Sequence, residues 1–131
     1  MRKLIFVAIA LLTSLVSQGI TVEEAFKKIS ALPGASAENI SGLDLEALGL
    51  DYGRQVVFIG NESTDRVLAV KDEITGAELS EVNDQKYPVY IFLQSIPAEK
   101  MALFTVTLHP MGPVCMLIKG SVDAVQNLGK D

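Results

Sequence analysis

The run from Val114 to Ile118, Val-Cys-Met-Leu-Ile, constrains the fold of this chain more than any other stretch. Gly112-Pro113 precedes the run and Gly120 follows it, so an apolar segment stands between two turn signals. An apolar run of this length between such signals is typical of a buried strand. We therefore expect the rest of the chain to supply the partner strands and covering helices.

Two segments before this run, 89–93 and 103–108, also alternate in the manner of strands. In each of the three strands one set of side chains is wholly apolar: Val89, Ile91 and Leu93; Phe104, Val106 and Leu108; Val114, Met116 and Ile118. The opposite sets are mixed: Tyr90, Phe92 and Gln94; Leu103, Thr105, Thr107 and His109; Cys115, Leu117 and Lys119. Stacking the apolar sets predicts a single core face, and the short connections predict antiparallel neighbours.

The residues from Thr21 to Glu24 form a capping box, in which the Thr21 hydroxyl and the Glu24 carboxylate each satisfy an unpaired backbone N–H group. A helix is predicted to begin here, with one apolar stripe made of Val22, Ala25, Phe26 and Ile29. Pro33-Gly34 ends it.

The middle of the chain contains weaker signals. We expect a short helix around Asp44 to Leu48 that Gly49 stops, and a strand from Gln55 to Ile59. A helix capped by Ser63 is favoured over a strand at Arg66 to Val70, because Val67, Val70 and Ile74 share a helical face. The polar segment 75–87 is interpreted as a loop, with room for a short strand, and Ser121 caps a closing helix.

These elements predict an α+β fold, in which an antiparallel sheet of about four strands has two to four helices packed mainly on one face. Residues 20–131 fall within the usual size of one domain.

The first nineteen residues have the pattern of a secretory signal peptide. Met1-Arg2-Lys3 is cationic, an apolar stretch runs from Leu4 to Val16, and small or polar residues follow. This apolar stretch is shorter than the roughly 20 residues that span a bilayer, so we expect cleavage after Ser17 or Gly19 rather than anchoring. The single cysteine, Cys115, lies far from the leader, so no lipid anchor is predicted. The mature protein is expected to be soluble, in the periplasm or outside the cell, with no integral membrane segment.

The charge of the chain argues against a nucleic-acid partner. The formal net charge is −5, and removing Arg2 and Lys3 with the leader makes the mature protein more acidic still. Binding to phosphates needs a basic surface. One cysteine cannot form an intrachain disulfide, and Cys115 is interpreted as a small apolar core residue.

The sequence contains no assembled catalytic set, so we predict no catalytic residue, cofactor or metal site. His109 and Cys115 flank a turn and belong to the mixed sets of neighbouring strands. A small hydrolase or redox enzyme that uses either of them is therefore an alternative, although the third, orienting group of such a site is missing.

The mixed sets supply a candidate contact surface, for which the binding residues would be Tyr90, Phe92, Thr105, Thr107, His109 and Lys119. Aromatic side chains among threonines on an open sheet face are suited to binding a protein or a ligand. The alternative is that the N-terminal helix or the segment 43–50 covers this face.

The C-terminal pattern resembles a known family. Val89-Tyr90-Ile91-Phe92, the strand at Phe104 to Leu108 and the ending Gly120-Ser121-Val122-Asp123 are similar to small exported proteins of gut-dwelling Gram-negative bacteria, the DUF4252 type of domain of unknown function. The opening helix, with Phe26 and Ile29, is also similar. The resemblance implies a periplasmic or cell-surface α+β protein without known enzyme activity, and it transfers no functional residues.

The sequence therefore favours a non-enzymatic binding module of the bacterial envelope. An envelope protein, a small ligand or a second copy of the chain is the expected partner. A structural subunit of an envelope assembly is a further alternative, in which strand edges would pair between chains.

Overall fold

The computed structural model describes residues 19–82 and 87–128. The predicted leader lies outside the described residues except for Gly19. The helices are Val22–Ser30 (α1), Leu45–Leu48 (α2), Thr64–Asp72 (α3) and Val122–Asn127 (α4). The strands are Ser36–Asn39 (β1), Leu50–Val57 (β2), Glu78–Val82 (β3), Val89–Ile96 (β4), Lys100–His109 (β5) and Gly112–Ser121 (β6).

The α+β class is confirmed, but the sheet is larger than predicted. Within the described residues it contains six strands in the order β1-β2-β6-β5-β4-β3, and every neighbouring pair is antiparallel. The estimate of about four strands was wrong because the two edge strands, β1 and β3, consist largely of exposed residues. Without a buried face, an edge strand shows no clear apolar alternation in the sequence.

Strand β6 joins the two halves of the sheet. It pairs with β2 on one side and with β5 on the other, and its alternate residues Pro113, Cys115 and Leu117 are buried. The prediction of a strand at Val114 to Ile118 is confirmed, and its burial is confirmed in part, since Val114 and Met116 are only half-buried.

Helix α1 begins as the sequence predicts. The Glu24 backbone N–H donates to the Thr21 hydroxyl at 3.1 Å, and the Thr21 N–H donates to the Glu24 carboxylate at 2.9 Å. The apolar stripe of α1 is buried. The capping box satisfies two backbone N–H groups at the helix start and so stabilises the first turn of α1.

Helices α1 and α3 cover one face of the sheet, which we call the helix-covered face. Its core side chains include Val22, Phe26 and Ile29 of α1, Val67 and Val70 of α3, and Val56, Phe92, Phe104, Val106, Cys115 and Leu117 of the strands. The rings of Phe26 and Phe92 both contact the Phe104 ring, with centroids at 6.4 and 5.9 Å from it. This face holds the main core.

The opposite face, which we call the second face, has a smaller core of its own. Leu50, Ile118 and Val125 are its buried residues, and side chains of α2 and α4 pack against them. The expectation that the helices pack mainly on one face was therefore wrong, because two of the four described helices lie on each face. Gly53 permits this packing, since a Cβ there would lie 2.7 Å from a methyl carbon of Leu43.

The middle elements match their predictions in type and differ in detail. α2 ends at Gly49, which has the left-handed conformation that favours glycine, with φ of 74°. α3 is a helix as favoured, but the Ser63 hydroxyl donates to the Pro33 carbonyl oxygen and makes no cap hydrogen bond. Strand β2 ends before Ile59, whose side chain is 94% exposed.

Candidate functional site

The register of the three central strands decides which side chains share a face. Phe92 pairs with Phe104, and Phe104 pairs with Leu117. The wholly apolar set of β5 therefore lies on the same face as the mixed sets of β4 and β6. The predicted stacking of the three apolar sets was wrong. The lengths of the two connecting turns set the register, and a shift of one residue exchanges the faces.

Tyr90 and Phe92 lie on the helix-covered face. Phe92 is 4% exposed and belongs to the main core, and Tyr90 is half-buried with the Lys71 ammonium 4.4 Å from its ring centroid. Neither aromatic ring belongs to an open sheet surface.

Lys119 also lies on the helix-covered face, at its margin. Its ammonium is 3.6 Å from the Glu23 carboxylate of α1 and 4.5 Å from the ring centroid of Tyr52. These two contacts join strands β2 and β6 to the first turn of α1, which is a packing role.

Thr105, Thr107 and His109 lie on the second face, so the structure separates them from the other three predicted binding residues. His109 ends strand β5, where its Nδ1 accepts a hydrogen bond of 3.0 Å from the Met111 N–H. The Tyr87 ring contacts it at a centroid distance of 5.0 Å. The histidine thus organises the turn between β5 and β6.

Cys115 and His109 project from opposite faces of the sheet and cannot exchange a proton directly. The Cys115 side chain is fully buried, and this burial raises the pKa of its thiol from 9.0 to about 12. A thiol that stays protonated at neutral pH is a poor nucleophile. Cys115 is a core residue, as predicted from the sequence.

A groove on the second face brings together side chains from β4, β5 and α4. Its volume is about 320 Å³, near the lower end of ligand sites in proteins. It is lined by Ile91, Leu93, Leu103, Thr105, Val125, Gln126 and Leu128. Among the described residues, no charged side chain lines this groove. It is an apolar site with two polar groups, an amide and a hydroxyl.

Thr105 gives the groove its distinctive chemistry. The residue is 7% exposed, and its hydroxyl is buried without a hydrogen-bond partner among the described residues. The residues opposite it on the neighbouring strands, Ile91 and Met116, have no hydrogen-bonding group that suits it. A buried hydroxyl without a partner costs about 1 to 3 kcal/mol, so its presence in an apolar wall needs an explanation.

Sequence reasoning identified Thr105 and missed the rest of the groove. The other lining residues of β4 and β5 were assigned to the core or to the wrong surface because the register was unknown. One sequence pattern does point to the groove. Val122 and Val125 are three residues apart in α4 and give the closing helix an apolar side. That spacing predicts that α4 packs against the sheet.

The described ranges 19–82 and 87–128 contain neither a metal cluster nor a membrane-spanning helix. No three side chains of His, Cys, Asp or Glu there are placed to hold a metal ion. No helix in these ranges is long and apolar enough to cross a bilayer.

Comparisons of the chain with protein-family models, with curated proteins and with solved structures found no match. The resemblance to exported proteins of the DUF4252 type therefore stays a prediction.

Proposed function

We propose that this chain is a non-enzymatic binding module, exported to the periplasm or cell surface, that holds a small apolar ligand in the groove between the second face and α4. The groove carries this proposal. It has the volume of a small-ligand site and an apolar wall on both sides, formed by Leu93 and Leu103 of the sheet and Val125 of α4. The leader pattern in residues 1–19 supports export.

Two rival functions have less support. An enzyme that uses His109 or Cys115 would need another polar group to activate either side chain, and the thiol is buried with a raised pKa. A structural subunit would pair strand edges between chains. The edge strand β3 carries Glu78 and Glu81, so a second copy of this edge would bring carboxylates together.

The test is a titration of the exported protein with naphthalene, followed through its ¹³C-methyl resonances. The protein is collected from the periplasm of a bacterial host, where its intact mass also reports whether the leader has been removed. We expect the methyl signals of Leu103, Val125 and Leu128 to shift, and those of Val22 and Val67 on the other face to stay in place.

Leu103→Phe is the matched control, since a larger side chain on the groove wall should fill the space and abolish the shifts. A thermal melt checks that this variant is folded. Methyl signals of the groove that do not move at the solubility limit of naphthalene would overturn the proposed function.

A further inference from the structure

We propose that the groove selects neutral apolar molecules that carry one hydrogen-bonding oxygen, and that the Thr105 hydroxyl binds this oxygen. This inference rests on the proposed function and names the chemical class of its ligand.

The Thr105 side chain combines burial with a position on the wall of the groove. Its hydroxyl is buried and unpaired among the described residues, although the residue lines a cavity. Thr107, the next threonine on the same face of β5, is two residues along the strand, roughly 7 Å away and beyond direct hydrogen-bond distance. A ligand oxygen in the groove is the partner that the fold itself does not supply.

The wall of the groove is hydrocarbon apart from Thr105 and Gln126. Ile91, Leu93 and Leu103 of the sheet and Val125 and Leu128 of α4 are hydrocarbon, so most of the ligand must be apolar. With no charged side chain among the described lining residues, a carboxylate or phosphate would lose its hydration without gaining a cation. The ligand class is therefore a neutral alcohol, phenol or ketone rather than a fatty acid anion.

The Thr105 hydroxyl can discriminate between a ligand that carries a hydrogen-bonding oxygen and a hydrocarbon of similar shape. A site that hydrogen-bonds a ligand group favours the ligand that has it over the hydrocarbon that lacks it, because the unpaired protein group stays unsatisfied with the latter. The Thr105 hydroxyl is buried in its present rotamer, so a change to another staggered χ1 rotamer, a rotation of roughly 120°, turns it toward the ligand.

The experiment compares 1-naphthol, naphthalene and 1-naphthoate on the exported protein and on Thr105→Val, with the same methyl resonances as readout. Valine has nearly the shape of threonine without its hydroxyl. In the unaltered protein we expect 1-naphthol to bind about tenfold more tightly than naphthalene, and 1-naphthoate to bind more weakly than 1-naphthol. In Thr105→Val, 1-naphthol should lose this advantage while the affinity for naphthalene stays the same.

Thr105→Val is also expected to unfold at an equal or higher denaturant concentration without ligand, because it removes a buried unpaired hydroxyl. Equal affinities of 1-naphthol and naphthalene in the unaltered protein, or an advantage of 1-naphthol that survives in Thr105→Val, would overturn this inference while leaving the proposed function in place. Tight binding of 1-naphthoate would overturn it as well. If naphthalene itself fails to bind, the proposed function fails first.

Discussion

At the scale of single residues, Leu117 and Met116 show how sharply the two faces of the sheet differ. They are neighbours on β6, and they project into different environments: Leu117 is 3% exposed in the main core, while Met116 is half-buried on the second face. The alternation along β6 does not show which of these two side chains is more deeply buried, because both are apolar.

We predict that Leu117→Ala lowers the free energy of unfolding by about 2 to 5 kcal/mol, as large-to-small substitutions in a core do. Met116→Ala should lower it by less, because part of that side chain is already in water. Denaturant midpoints of the two variants measure the difference. A larger loss for Met116→Ala would mean that the second face, rather than the helix-covered face, holds the main core.

Cys115 predicts a dependence of stability on pH. Burial raises the pKa of its thiol to about 12 in the folded protein, against 9.0 for an ordinary thiol. The proton is therefore held more tightly in the folded state, so its contribution to stability is complete below pH 9 and is lost as the pH rises toward 12.

In urea titrations between these pH values, the Cys115 contribution should fall by up to about 1.4 kcal/mol per pH unit. Cys115→Ala, which lacks the thiol, should show a shallower fall over the same range, so the difference in stability between the two proteins should shrink as the pH rises. Parallel curves for the two proteins would show that the thiol ionises freely in the folded state.

At the scale of elements, α4 is short and depends on its cap. The Ala124 N–H donates to the Ser121 hydroxyl at 3.1 Å, and only Val125 of this six-residue helix is fully buried. Short helices have little propensity of their own and are held by caps and packing. Because α4 forms one wall of the groove, its cap also maintains the groove.

Ser121→Ala should cost about 1 kcal/mol and speed up hydrogen exchange at the amides of Val125 and Leu128. Ser63→Ala is the matched control, since the Ser63 hydroxyl precedes α3 without capping it. The amides of α3 should exchange at unchanged rates in that variant. If the exchange of Val125 is the same with and without the Ser121 hydroxyl, the cap is not what holds α4 in place.

Local signals in the sequence were sufficient for most elements. The capping box at Thr21, the stop at Gly49 and the cap at Ser121 are interactions between residues close in the chain, so the sequence displays them directly. Strand β1 was not predicted, and the short strand allowed within 75–87 could not be given bounds. The side chains of both edge strands are exposed, and exposure removes the alternation that marks a strand.

At the scale of the whole molecule, the second face depends on the pairing of strands, which the sequence does not show directly. Thr105 was recognised as a candidate binding residue, but its neighbours across the sheet depend on the turns at each end of β5. In the turn before β5, Ala98 and Glu99 have positive φ. Glycine usually marks this conformation in a sequence, and since neither residue is glycine, the turn could not be recognised. Register is a property of pairs of strands, and the candidate groove could not be assembled without it.

The position of β6 in the sheet has a consequence for how the protein is made. Among the described strands β6 comes last in the chain, yet it lies between β2 and β5, so Leu50 pairs with Gly120, which is made much later. Pairing between such distant residues makes folding slow. During synthesis β2 and β5 therefore stay unjoined until β6 has been made, so the complete sheet forms only after residue 121 has been added.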